Sequence, residues 1–196
     1  MKDGNADLFL SEIETDIQKA KSEEYKRMLK VNKATGLIYS GSWDDAIELL
    51  DNIGDRFKYR VFSKLYYINY ISALLYKSKV EEAVKLYEEK KVFLQDTESR
   101  LQRRDKRVIE SIKRIEAIIN FHRGNLPESQ AAFEELLSSQ KYDIHLAVTR
   151  YFLGLICLNE GDLQRGREHM ELAKALGKKT FIGRIAAGYP KLHPIG

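Results

Sequence analysis

The chain has 196 residues and a mass of 22.7 kDa; 43% of its residues are hydrophobic and 32% charged, with 12 Gly, 3 Pro and a single Cys. That mixture supports one domain with a real core and excludes collagen-like, mucin-like and disulfide-scaffold proteins. A net charge of +4, from 33 basic and 29 acidic residues, falls short of the balance of a dedicated nucleic-acid binder.

From the N-terminus, Met1 to Asp7 lacks the apolar stretch of a signal peptide. No run near the roughly 18 apolar residues of a membrane span occurs anywhere in the sequence. Apolar residues recur at helical spacing almost end to end, without the alternation of strands, so an all-α chain is expected. A first helix runs from Asp7 to about Ala20 with Leu8, Ile13 and Ile17 on one side, and residues 1–23 form an N-terminal cap. Four antiparallel hairpins follow, over about 24–56, 57–95, 97–139 and 142–176. Their turns are short and polar: Ser40-Gly41-Ser42, Lys77-Ser78-Lys79, Arg123-Gly124-Asn125 and Glu160-Gly161-Asp162. Ser78 with Glu81, and Asn125 with Glu128, have the spacing of capping boxes, and Ser42 opens a weaker version. Residues 177–196 carry a short helix with Phe181, Ile182 and Ile185, and a tail expected to fray beyond Gly188.

The hairpins resemble one another. Ala46 and Ala83 stand 37 residues apart, as do Gly124 and Gly161, whereas Ala83 and Ser129 are 46 apart. The extra residues are expected to lengthen the helices around Lys91 to Lys106. Leu153-Gly154, Cys157-Leu158, Gly161-Asp162-Leu163, Met170 and Ala173 form a pattern similar to the tetratricopeptide repeat. Ala34, Leu37, Gly41, Trp43, Ala46 and Leu50 fall in register in the first unit. Ile71, Leu74, Val80, Ala83 and Tyr87 do so in the second, and Ala117, Gly124, Leu126, Ser129 and Phe133 in the third. The resemblance covers roughly residues 24 to 176 and implies a right-handed α-solenoid of about four hairpins with flanking capping helices, in which each hairpin buries its faces on its neighbours. The repeats are degenerate: Gly166 and Ser129 stand at the small-residue position, and the closing Pro is missing throughout.

The resemblance also implies a ligand groove lined by the first helix of each hairpin. Register places Tyr39, Asn69, Tyr76, Arg114, Phe121, His122, Tyr151 and Asn159 there, among apolar residues such as Leu65, Ile68, Ile118, Val148 and Phe152. The family's clamp for a peptide carboxylate needs Lys or Arg with Asn at fixed positions in three consecutive units. Asn69 fits one of these, but Val31, Thr35, Ser111 and Ile115 occupy others, so capture of a free chaperone C-terminus is not expected. An apolar groove of that size calls for a cover: the N-terminal helix folding back, a second copy of the chain, or a partner segment.

Chemistry has little foothold. His122, His145, His169 and His193 include no pair at metal-ligand spacing, and Cys157 lies on an apolar face where a thiol packs as a small hydrophobe. No phosphate-cradling glycine loop is present, so no cofactor, metal or catalytic residue is expected. The basic stretch Arg100, Arg103, Arg104, Lys106 and Arg107 is the strongest charged feature; it suits an anionic surface or nucleic acid, but equally a solvated helix face. The sequence therefore points to a non-enzymatic interaction scaffold that binds a protein or peptide through the first-helix groove. The alternative is a self-associating structural component, the cytosolic part of a membrane-linked assembly. A cytoplasmic location follows from the lone thiol.

Overall fold

The computed structural model describes residues 5–96 and 106–192, with side chains placed up to residue 188. Among these, ten α-helices and no strands occur. They are α1 (Ala6–Lys19), α2 (Glu23–Ser40), α3 (Trp43–Ile53), α4 (Arg60–Tyr76), α5 (Val80–Gln95), α6 (Lys106–His122), α7 (Leu126–Ser139), α8 (Asp143–Asn159), α9 (Leu163–Gly177) and α10 (Phe181–Leu192). The chain is all-α as its periodicity predicts. The helix lengthening expected around Lys91 to Lys106 falls largely outside the described residues, between α5, which ends at Gln95, and α6, which starts at Lys106. One boundary differs from expectation. Helix α10 continues through Tyr189 and Pro190 to Leu192 rather than ending at Gly188.

The four hairpin turns share one geometry. A residue in the left-handed region, Gly41, Ser78, Gly124 or Gly161 (φ 90°, 63°, 80° and 86°), ends the first helix. The amide of the following residue then donates to a carbonyl five positions back: Ser42 to Leu37, Lys79 to Leu74, Asn125 to Asn120 and Asp162 to Cys157, each at 2.9 Å. This closure overturns the expected capping boxes. Ser78 is committed to ending α4 and leaves Lys79 at the N-cap of α5, and neither Ser42 nor Asn125 makes a side-chain cap. Only Asp162, of the four turns, caps its helix, accepting from the Arg165 amide at 3.1 Å.

Ala46, Ala83, Ser129 and Gly166 are all buried where the second helix of a hairpin crosses the first. A Cβ on Gly166 would come within 2.5 Å of Leu158 Cγ, so only glycine allows α8 and α9 to approach as they do. Ser129 is accommodated because its hydroxyl donates to the Ala117 carbonyl at 2.8 Å. Cys157 of α8 is buried. Helix α1 packs on α2 through Phe9 and Leu10, both against Gly36, and through Ala6 and Ile13. Leu8 faces solvent instead of this contact.

Alternate helices touch in order, α2 on α4, α4 on α6, α6 on α8, and α8 on α10, and α10 then returns to α2. That last contact joins distant parts of the chain. Arg184 of α10 donates to the Ser40 carbonyl, and Phe181 packs against Tyr76 (4.7 Å between centroids) and edge-on against Trp43 (5.4 Å). The tight turn before α10 depends on Gly177 and Gly183, whose backbones approach so closely that a Cβ on either would meet the other segment within 2.7 Å. Of the three covers the apolar groove calls for, the N-terminal helix does not supply one: α1 contacts α2, while Phe181, Ile182 and Ala186 of the C-terminal helix join the main core.

A buried lysine closes α5. Lys64 is 1% exposed, and its ammonium donates to the carbonyls of Leu94 and Asp96, both at 2.6 Å, beside the Arg60–Asp96 ion pair. Burial lowers its pKa to about 8. Lys64→Ala removes the stem and leaves helix-end carbonyls without their donor, so a loss of about 2–4 kcal/mol is expected from urea unfolding.

Candidate functional site

Helices α2, α4, α6 and α8 line a partly open cavity of about 410 Å3, within the range of small-ligand pockets. Its wall comes from four successive first helices. α2 contributes Asn32, Thr35, Ile38 and Tyr39; α4 contributes Val61, Phe62, Leu65, Ile68, Asn69, Ser72 and Tyr76; α6 contributes Arg107, Val108, Ser111 and Arg114; and α8 contributes His145. Position along each helix puts Val61, Phe62 and Arg107, all from first turns, at one end, while Phe181 of α10 packs on Tyr76 at the other.

The structure divides the expected groove residues in two. Tyr39, Asn69, Tyr76 and Arg114 meet at this cavity, whereas Phe121, His122, Tyr151 and Asn159 do not line it. The reason is distance along the helix: Arg107 opens α6 and His122 ends it, about 22 Å apart at 1.5 Å per residue. Phe121 and Tyr151 instead pack edge-on against Phe152 (5.4 and 5.5 Å), whose ring stacks on Phe133 of α7. His122 and Asn159 are exposed at helix ends. Of the basic stretch, Arg100, Arg103 and Arg104 lie outside the described residues; Lys106 and Arg107 are exposed, Arg107 on the cavity wall.

Asn69 is an internal tie more than a ligand contact. Its amide nitrogen donates to the Val31 carbonyl at 2.8 Å and its oxygen accepts from the Thr35 hydroxyl at 3.2 Å, which fixes α4 to α2. Val31 itself is fully buried in the packing between these helices.

Arg114 has a different character. It is only 5% exposed, and a guanidinium cannot lose its proton to escape the cost of burial. Buried Gln140 takes part of that charge: with its amide oriented to suit its neighbours, the oxygen accepts from Arg114 Nη2 at 3.1 Å. Its nitrogen then donates to the His145 carbonyl at 3.1 Å and to the Thr149 hydroxyl at 3.0 Å. Arg114 Nε and His145 Nδ1 are buried with no hydrogen-bond partner among the described residues. The cavity wall carries Arg107 and Arg114 but, among the described residues, no Asp or Glu.

Sequence reading missed His145. The signal was present, since His145 precedes the expected groove residue Val148 by three positions and so shares its face of α8. Burial pushes its imidazole down to about 2, with the Arg114 and Arg107 charges adding to the effect. The rings of Tyr39 (6.3 Å) and Tyr142 (5.7 Å) pack beside it. The unfolded chain takes up a proton on this residue below pH 6.5 and the folded chain does not, so stability is present above that pH and is lost as the pH falls. The expected slope is up to about 1.4 kcal/mol per pH unit from this residue. Burial also lowers His169, which contributes in the same direction. Urea unfolding at pH 7, 6 and 5 measures the slope, and His145→Gln is expected to flatten it.

Among the described residues no cluster of His, Cys, Asp and Glu suits a metal ion, and no helix is long and apolar enough to cross a membrane. No protein-family model, curated protein or solved structure matches the chain.

Proposed function

We propose that this chain is a non-enzymatic interaction module: a right-handed array of about four tetratricopeptide-like hairpins whose first helices receive a segment of a partner protein. The observation that carries the reading is the 410 Å3 cavity, which draws its wall from the first helices α2, α4, α6 and α8. Its size admits a short stretch of chain and not a folded domain. The common turn geometry at Gly41, Ser78, Gly124 and Gly161 supports the repeat. The return of α10 to α2 supports a narrow binding space in place of a long open groove.

The test is selection from a displayed library of random peptides with the immobilised chain, followed by Ser72→Phe. Ser72 lines the cavity and is partly exposed, so an aromatic ring there fills space that the segment needs. Capture is expected to fall at least tenfold while the circular dichroism spectrum and melting temperature stay put. Unchanged capture by the folded variant removes the cavity from the account.

A further inference from the structure

We infer that the central cavity is a carboxylate site, with Arg114 as the counter-ion of a single carboxylate carried by the ligand. The inference rests on the reading of the cavity as the binding site and names the group that enters it. A buried guanidinium with an idle Nε is costly unless an anion reaches it, and among the described residues no Asp or Glu lines the cavity to do so. Gln140 holds Nη2, which fixes the guanidinium, while Nε–H has no acceptor among the described residues. His145 Nδ1 is a second buried polar atom there without a partner among the described residues.

The wall specifies the anion. Arg107, the other arginine of the wall, is exposed, and His145 stays neutral, so Arg114 is the one buried positive charge in the cavity and matches one negative charge; a phosphate dianion exceeds it. Tyr39 and Tyr76 line the same space, and burial pushes both phenols up, so they remain protonated donors for a carboxylate oxygen. Val61, Phe62, Leu65, Ile68 and Val108 supply the rest of the surface, which suits an apolar body behind the carboxylate. This site differs from a groove-surface clamp of Lys and Asn, because its charge comes from one interior arginine held by an amide.

The experiment uses the full chain with hexanoate, its neutral isostere hexanamide, and inorganic phosphate, each at up to about 20 mM. Two readouts are recorded: the melting temperature and the NMR resonance of the Arg114 Nε–H, assigned with Arg114→Gln. Hexanoate is expected to raise the melting temperature by about 3 °C and to shift the Nε–H resonance. Hexanamide and phosphate should do neither, and Arg114→Gln should weaken hexanoate binding at least tenfold. An equal response to hexanamide, a stronger one to phosphate, or an unmoved Nε–H resonance overturns the carboxylate assignment. If Arg114→Gln does not fold, the comparison of hexanoate with hexanamide on the natural chain still decides it.

An acetyl-Leu-Glu-Leu-amide peptide separates the sources. Tighter binding than hexanoate assigns the carboxylate to an acidic side chain of a protein segment, and weaker binding assigns it to a free small acid. The two readings fail separately. Captured peptides that are neutral and not displaced by hexanoate overturn this inference and leave the segment site standing; hexanoate binding with no peptide captured does the reverse.

Discussion

Truncating Phe133 to alanine is expected to lower the unfolding free energy by about 3–5 kcal/mol, the range for an aromatic side chain removed from a packed interior. Phe133 on α7 has no exposed surface and stacks on Phe152 of α8, with ring centroids 5.3 Å apart and planes 8° from parallel. Phe152 in turn carries the edge contacts of Phe121 and Tyr151, so the vacancy opens where three helices meet. Backbone hydrogen bonds of α6, α7 and α8 hold their own helices straight, so the site has little freedom to collapse. Phe133→Leu keeps most of the volume and is expected to cost under about 2 kcal/mol. Urea unfolding followed by circular dichroism measures both; a cost below about 1 kcal/mol for the alanine variant contradicts the packing described.

Replacing Arg114 by methionine is expected to have the opposite sign. In the free protein the side chain is a buried cation with no carboxylate partner among the described residues, and exchanging such a charge for an apolar chain of similar length commonly stabilises. One term opposes this: Gln140 loses the donor to its amide oxygen, worth about 1 kcal/mol. The net expectation is a gain of about 2 kcal/mol, with loss of the response to hexanoate. A residue whose removal stabilises the fold and abolishes ligand response is retained for the ligand. Destabilisation by more than about 2 kcal/mol assigns Arg114 a role in holding α6 to its neighbours instead.

The parts of the fold legible in the sequence are those with a local cause. Gly41, Gly124 and Gly161 mark turns because their backbones enter a region closed to most residues, and their spacing announced the hairpins. Ser78 does the same work with a side chain, so its turn was readable but its role was mistaken for a cap. The return of α10 was not legible: Arg184 and Ser40 are 144 positions apart, and neither segment carries a pattern that names the other. The site shows the same division. Helical register found Tyr39, Asn69, Tyr76 and Arg114, and three-residue spacing offered His145. Register alone could not show that Phe121 and Tyr151 pack on Phe152 away from the cavity, because that depends on how Phe133 of α7 stacks against α8.

The lone thiol of the natural chain provides the most direct test that the cavity receives a partner segment. Cys157 is buried, and burial raises its pKa, so it reacts slowly. A cysteine introduced at Ser111, on the cavity wall, is then the reactive site, with a cysteine at exposed Glu82 of α5 as the control. The rate of alkylation by N-ethylmaleimide is measured with and without a saturating captured peptide. At least tenfold slowing at Ser111→Cys with no change at Glu82→Cys is the predicted result. Equal rates at Ser111→Cys with the peptide demonstrably bound contradict the account.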